Sequence, residues 1–216
     1  MLDADRIEEL FARLAAADPE QGRAPEAKLG RKPFESLVGV MLSAQSRDAM
    51  TARAKKRLLE RAATPEAILA LNEATIADLI KDCGLYNTKA RNLKRMCRAL
   101  LERHGGVVPR TREELMALPG VGRKSADIML RFVFGERVVP VDTHVFRVAR
   151  RTGLAAGRSE AALAVDLAPR VPERWRWGAH MWLLNLGKRV CLARIPRCSK
   201  CLLDDLCEHN GVTVRG

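Results

Sequence analysis

The stretch Leu118–Pro119–Gly120–Val121–Gly122–Arg123–Lys124 constrains this chain more than any other. Apolar periodicity precedes it and resumes after it, so two helices must be joined by a very short turn. Pro119 closes the first helix, and Gly120 and Gly122 permit positive φ in that turn. A new helix is expected to begin near Arg123. In a helix–hairpin–helix of this kind, backbone N–H groups and the second helix N-terminus converge on one point. Unsatisfied donors and the positive end of the macrodipole suit that point to a phosphate. Such contacts, from Gly120, Val121, Gly122 and Arg123, would hold a nucleic-acid backbone without reading its sequence.

The charge balance agrees. Lys plus Arg number 38 against 26 Asp plus Glu, a formal charge of +12, so a polyanion is the expected partner and nucleic acid the first candidate. Apolar residues make up 47% of 216, which supplies a core and argues against a disordered chain. No apolar run reaches bilayer-spanning length, so no membrane partner is expected. The N-terminal MLDADRIEELFARL reads as an amphipathic helix of mixed charge, not a secretion signal. A soluble, cytoplasmic monomer is expected.

The pattern is helical nearly throughout, and an all-α protein of about ten helices follows from its start and stop signals. Phe34, Leu37, Val38, Met41 and Leu42 recur at helical spacing. Thr64–Pro65 reads as an N-cap with proline in the first turn. Thr75 with Asp78 reads as a second cap, Gly84 as the stop of that helix, and Asn87 as the cap of the next. Gly105–Gly106 ends the long helix, and Thr111 with Glu114 forms a capping box. The run Val138–Val141 is strand-like but broken by Pro140. The polar segment Gln21–Lys32 reads as a link between the first helix and the rest, and a second break lies near Gly135–Glu136.

A lysine in the first turns of a helix opposes the macrodipole, so Lys124 calls for a reason. Asp142, eighteen residues on, stands where an N-cap belongs, ahead of the apolar Val145, Val148 and Ala149. A helix start fixes a carboxylate and favours its charged form. A helix N-terminus and nearby cations also favour the neutral amine of a lysine, the form that can attack a sugar carbon. The two residues together are candidates for amine nucleophilic catalysis.

Cys191, Cys198, Cys201 and Cys207 have the spacing C-x6-C-x2-C-x5-C. Four thiolates in one loop read as a metal site, with zinc and an iron–sulfur cluster equally open on spacing alone. Cys83 and Cys97 lie in helical apolar contexts and read as core. Trp175, Trp177 and Trp182 also read as core, although base stacking is their functional alternative. Lys55, Lys56 and Arg57 read as a solvated face, and Arg91, Lys94 and Arg95 as candidates to follow phosphates.

With these motifs in order, the chain resembles the endonuclease III branch of the helix–hairpin–helix DNA glycosylases. The matching stretches are MLSAQS (Met41–Ser46), GLYNTKA (Gly84–Ala90), LPGVGRKSA, VDTHVFRV and the cysteine loop, together spanning Phe34 to Cys207. The resemblance implies two helical domains: a six-helix barrel carrying the hairpin at residues 24–136, and a second domain at 1–23 with 137–216 carrying a [4Fe–4S] cluster loop. It implies a bifunctional DNA glycosylase and AP lyase acting on duplex DNA with oxidised pyrimidines or abasic sites. Lys124 would be the nucleophile and Asp142 its assisting carboxylate. Gln45 would fill the gap left by the extruded nucleotide, and Leu85 would wedge into the opposite strand. The four cysteines would hold the cluster, with Arg194 and Arg197 of the same loop contacting phosphate. His144 is a candidate for the DNA backbone or for packing.

Rivals are an adenine or mismatch glycosylase, disfavoured by Lys124 and by a chain that stops at Gly216, and a non-catalytic DNA-binding protein, which leaves Asp142 and the cysteine loop unexplained. Met116 stands where relatives often carry a glutamate, and Ile195 where a further basic residue is frequent; the latter change would weaken phosphate contacts.

Overall fold

Side-chain caps set where most helices begin. The computed structural model describes residues 1–22, 32–44, 46 and 48–216, and among these it contains eleven α-helices and no β-strand. Residues 23–31 of the polar segment read as a link lie outside the described residues, as does Gln45. Two compact units form, one from Met1–Glu26 with Glu136–Gly216 and one from Ala27–Gly135.

The Ala27–Gly135 unit contains α2 (Pro33–Ser43), α3 (Asp48–Arg61), α4 (Pro65–Ala70), α5 (Glu73–Leu79), α6 (Tyr86–His104), α7 (Arg112–Met116) and α8 (Arg123–Phe132). The nineteen-residue α6 is its spine, with α4, α5 and α2 packed along it. α2 also packs on α3 and α8, and α7 on α8. Leu37, Leu42, Leu58, Ile68, Leu93, Leu100 and Leu115 are fully buried between them. Cys83 and Cys97 belong to this interior, as expected.

Thr64 caps α4 through the Ala67 N–H at 3.2 Å, and Pro65 follows it. Thr111 Oγ1 accepts from the Glu114 N–H at 3.2 Å and donates to Glu114 Oε2 at 2.7 Å, so the expected cap forms, with the Glu114 carboxylate held by the Thr111 hydroxyl. Two other caps move. Asn72, not Thr75, starts α5, because its Oδ1 accepts the Thr75 N–H at 2.8 Å. That helix ends at Leu79, well before Gly84. Leu85, not Asn87, stands at the N-cap of α6, and makes no side-chain cap. Arg57 is also not simply solvated, since its Nε donates to Leu79 O at 3.0 Å and its Nη2 meets Asp82 at 2.9 Å.

The other unit contains α1 (Ala4–Ala17), α9 (Thr143–Thr152), α10 (Glu160–Arg170) and α11 (Arg176–Arg189), followed by the cysteine loop. α11 packs on α9, α1 and the turn at Pro19–Gly22. Leu10, Phe11, Val145, Val148, Ala149, Leu163 and Leu183 form the core. Trp182 lies in it, 3% exposed, with its indole N–H donated to Asp18 O at 2.8 Å. Its flat face requires Gly178, where a Cβ would stand 2.1 Å from the ring. Among the described residues no helix is long and apolar enough to cross a membrane.

Candidate functional site

The hairpin is tied into its unit from beneath. Gly120 takes φ +83°, and a Cβ there would lie 2.7 Å from Met41 Cε of α2 and 3.1 Å from Asn92 Cβ of α6. The positive φ therefore favours glycine, and a Cβ would also crowd Asn92 and displace the Met41 methyl. Gly122 differs from expectation: its φ is −93° with extended ψ, and it serves as the N-cap of α8. A Cβ on Gly122 would meet nothing within 4 Å, so the backbone there is open to approach. Having no side chain, Gly122 leaves the first N–H groups of α8 without a side-chain acceptor. Val121, expected as a phosphate donor, is buried, 6% exposed, and its N–H is donated to Leu118 O at 3.1 Å, so it packs the turn and offers no free donor.

Lys124 is exposed in the first turn of α8. Its neighbour Arg123 turns back along the helix, with Nε 3.7 Å from Asp127 Oδ2. Asp127 is buried and also accepts from Arg112 Nε at 2.6 Å, which fastens α7 to α8. The sequence reading missed this carboxylate, although its place on the apolar stripe of α8 beside Ala126 and Leu130 marks it.

On the same unit, Leu85 has φ +57° and is 59% exposed. Gly84 donates its N–H to Ser46 Oγ at 3.0 Å, linking this turn to the segment after α2. Lys94 does not stand free as a phosphate contact, because its Nζ donates to Leu71 O at 2.5 Å at the end of α4. Arg91 remains exposed beside Glu73 at 4.0 Å.

In the other unit, Asp142 is the N-cap of α9, as expected. Its Oδ1 accepts from His144 N at 2.9 Å and Val145 N at 2.8 Å, and the residue is 7% exposed. The carboxylate thus has a fixed orientation. His144 is a packing residue: a Cβ on Gly187 of α11 would lie 2.9 Å from its own Cβ, and its Nδ1 meets Arg147 Nη2 at 3.1 Å.

The far end of α9 meets the cysteine loop. Arg151 Nη1 donates to Leu192 O at 2.6 Å and lies 3.5 Å from Cys191 Sγ, while Nη2 donates to Ala193 O at 2.8 Å. Arg147 donates to Cys191 O at 2.9 Å and Gly187 O at 2.8 Å. Neither arginine was singled out from sequence, where both read as polar positions on an amphipathic helix. Arg194 and Arg197 are exposed on the loop.

Cys191, Cys198, Cys201 and Cys207 line one open concavity. A zinc ion with Zn–S of about 2.3 Å would draw its thiolates to within about 3.8 Å of one another. Among the described residues, three ligand atoms within 4.8 Å of one another occur at Cys198, Asp204 and His209, and at no trio of the four cysteines. The wider ring of sulfurs fits an iron–sulfur cluster better than one small cation. The Arg151 guanidinium and the His209 N–H, 3.3 Å from Cys207 Sγ, are the hydrogen-bond donors such a cluster's sulfurs receive. Burial raises the Cys198 and Cys201 thiols and takes Cys207 up to about 11, so metal binding must displace protons here.

Residues 38–172 match the HhH-GPD superfamily base excision DNA repair protein family. Endonuclease III of Escherichia coli K12 is 42% identical over 210 residues, 97% of this chain and 97% of that protein. Endonuclease III of Haemophilus influenzae is 42% identical over 202 residues, 93% and 94% of the two chains. Among solved structures, a trapped endonuclease III–DNA covalent intermediate matches with a TM-score of 0.86 at 36% identity, covering 97% of each chain. A thermostable thymine-DNA glycosylase, 24% identical, shares the fold with a TM-score of 0.80 over 96% of this chain and 98% of that one.

Proposed function

The chain belongs to the endonuclease III family of HhH-GPD base excision DNA repair proteins, and from that membership we propose how its residues work. It is a bifunctional DNA glycosylase and AP lyase acting on duplex DNA. Its substrate carries an oxidised or ring-saturated pyrimidine, or an abasic site for the lyase step. The base is flipped out of the stack, which costs least at a distorted lesion. Leu85 wedges into the opposite strand and Gln45 fills the vacated position. The hairpin N–H groups of Gly120, Gly122 and Arg123 hold a backbone phosphate, the Val121 N–H being taken by Leu118 O at 3.1 Å.

Lys124 then attacks C1′ as the free amine. The glycosidic electron pair leaves with the base, which takes up a proton. Asp142 offsets positive charge developing on the sugar and receives a proton from the attacking amine. The C1′–O4′ bond then breaks with its electron pair going to O4′, which takes up the proton held by Asp142, and a Schiff base forms between Nζ and C1′. Removal of a C2′ proton expels the 3′ phosphate with the C3′–O electron pair, cutting the strand 3′ to the abasic site. Water hydrolyses the imine and frees Lys124.

The four cysteines hold a [4Fe–4S] cluster in this reading. When bound, it supplies a rigid cross-link for the loop that carries Arg194 and Arg197, whose exposed guanidinium groups serve as phosphate contacts.

The observation that carries the proposal is Lys124: an exposed primary amine in the first turn of α8, beside uncapped N–H groups suited to a phosphate. The test is base release from duplexes carrying thymine glycol, dihydrouracil, oxidised guanine, uracil or an adenine mismatch. Release of the two damaged pyrimidines is expected. Release confined to the adenine mismatch would replace this reading with that of an adenine glycosylase, and binding without release would leave a DNA-binding protein.

A further inference from the structure

A lysine occupies the interior of the Ala27–Gly135 unit where helical spacing calls for an apolar side chain. Lys89 lies one turn before Leu93 and two before Cys97 on the buried stripe of α6, and is 7% exposed. Its Nζ donates to Leu42 O at 2.8 Å and to Ser46 Oγ at 2.8 Å. Among the described residues no carboxylate forms an ion pair with it. Burial holds its ammonium below the ordinary lysine value, with the neighbouring Cys83 acting in the opposite sense. Packing alone would favour methionine here, since a desolvated ammonium without a counter-charge is costly. What methionine cannot supply is a set of directed donors.

Those donors converge on one turn. Leu42 O belongs to the last turn of α2, where carbonyls lack intrahelical partners. Ser46 Oγ, held by Lys89, is also the acceptor for the Gly84 N–H at 3.0 Å. The main-chain N–H of Lys89 donates to Leu85 O at 2.9 Å. The same residue therefore grips the Gly84–Leu85 turn through its backbone and, by way of Ser46, through its side chain. Leu85 needs such support. A left-handed leucine is strained, and such strain survives only where the surroundings enforce it. Its 59% exposure gives no compensating burial.

We infer that Lys89 is a positioning residue: through Ser46 it braces the Leu85 turn against the end of α2, so that Leu85 is presented to the duplex in one fixed orientation. This rests on the proposed role of Leu85 as the wedge. The brace matters for a paired duplex and not for an abasic site in a single strand, where nothing is wedged apart.

The test compares dihydrouracil release from a duplex with strand cleavage at an abasic site in a single-stranded oligonucleotide, for Lys89→Met, Leu85→Ala and the double variant. Lys89→Met is expected to lower the duplex-to-single-strand rate ratio by about tenfold, the scale expected of a small misplacement. The double variant is expected to be no worse than Leu85→Ala, because both changes remove one function. Equal loss in both assays, or losses that multiply in the double variant, would overturn the inference. If Lys89→Met does not fold, Ser46→Ala removes the shared acceptor and carries the same expectation. If Leu85→Ala releases the base from duplex as fast as the unaltered protein, the wedge assignment fails and the brace with it. If Leu85→Ala is impaired while Lys89→Met and Ser46→Ala are not, the inference about Lys89 alone fails.

Discussion

Arg151 Nη1 lies 3.5 Å from the Cys191 sulfur, at the opposite end of α9 from Asp142. Ten residues of helix, about 15 Å, separate the carboxylate from the loop. The same guanidinium holds Leu192 O and Ala193 O, so one side chain fastens the C-terminal turn of α9 to the cysteine loop. Arg151→Ala should therefore destabilise the protein by about 2 kcal/mol, the scale of charged hydrogen bonds at a half-buried site. Removing iron, or Cys201→Ala, should deprotect the same turn. Hydrogen exchange read by mass spectrometry checks both: faster exchange at the C-terminal end of α9 is expected, and unchanged exchange would contradict the coupling.

Conservative substitutions separate the observed cap role of Asp142 from its proposed role in the chemistry. An asparagine side chain would still offer an oxygen to the His144 and Val145 N–H groups, so Asp142→Asn should shift stability by less than about 1 kcal/mol. It lacks the charge, so base release and strand cleavage should fall by about 100-fold or more. Asp142→Ala should add loss of the cap, about 1 kcal/mol in a thermal melt. Full activity in Asp142→Asn would remove the carboxylate from the chemistry.

The two hairpin glycines should respond differently to alanine. Gly120→Ala meets Met41 and Asn92 in a left-handed turn and should cost more than about 1 kcal/mol of stability. Gly122→Ala meets nothing within 4 Å and has an ordinary φ, so the melt should barely move. Its methyl group would stand on the open face proposed to receive a phosphate, and duplex affinity should drop. Titration with labelled duplex over a salt series measures the second effect.

Acid should loosen the contact between α1 and the cysteine loop. Arg13 pairs with Asp205 through Nη1–Oδ1 at 2.6 Å and Nη2–Oδ2 at 3.0 Å. Those hydrogen bonds hold the Asp205 carboxyl below its ordinary 3.8. A carboxyl depressed in the folded state contributes stability above its unfolded value, and that contribution disappears as pH falls through the folded one. The melting temperature should thus fall below about pH 3.8, and Asp205→Asn should flatten that limb of the curve.

Much of this was legible in the chain because local chemistry decided it. Thr64, Thr111 and Asp142 cap their helices through bonds to residues two or three positions away, and such signals need no knowledge of the fold. The same logic misled at α5, where Asn72 and Thr75 both offer a cap and the earlier one starts the helix. Leu85 could not be read as a cap at all: it is left-handed and has no capping side chain, and the turn it sits in is bonded through Gly84 to Ser46 of another segment. Gly122 shows the converse: glycine there serves open access and not positive φ, a distinction made by the surroundings. Lys89 and Asp127 were visible only as charges in phase with apolar stripes, and their partners Ser46, Leu42, Arg112 and Arg123 come from elsewhere in the fold or from the adjacent helix turn.

Borohydride reduction during reaction with an abasic duplex tests the central claim most directly. A covalent protein–DNA adduct is expected, with peptide mapping by mass spectrometry assigning the bond to Lys124, and with Lys124→Ala binding the duplex but forming no adduct. An adduct on another residue, or an undiminished yield from Lys124→Ala, would contradict the account.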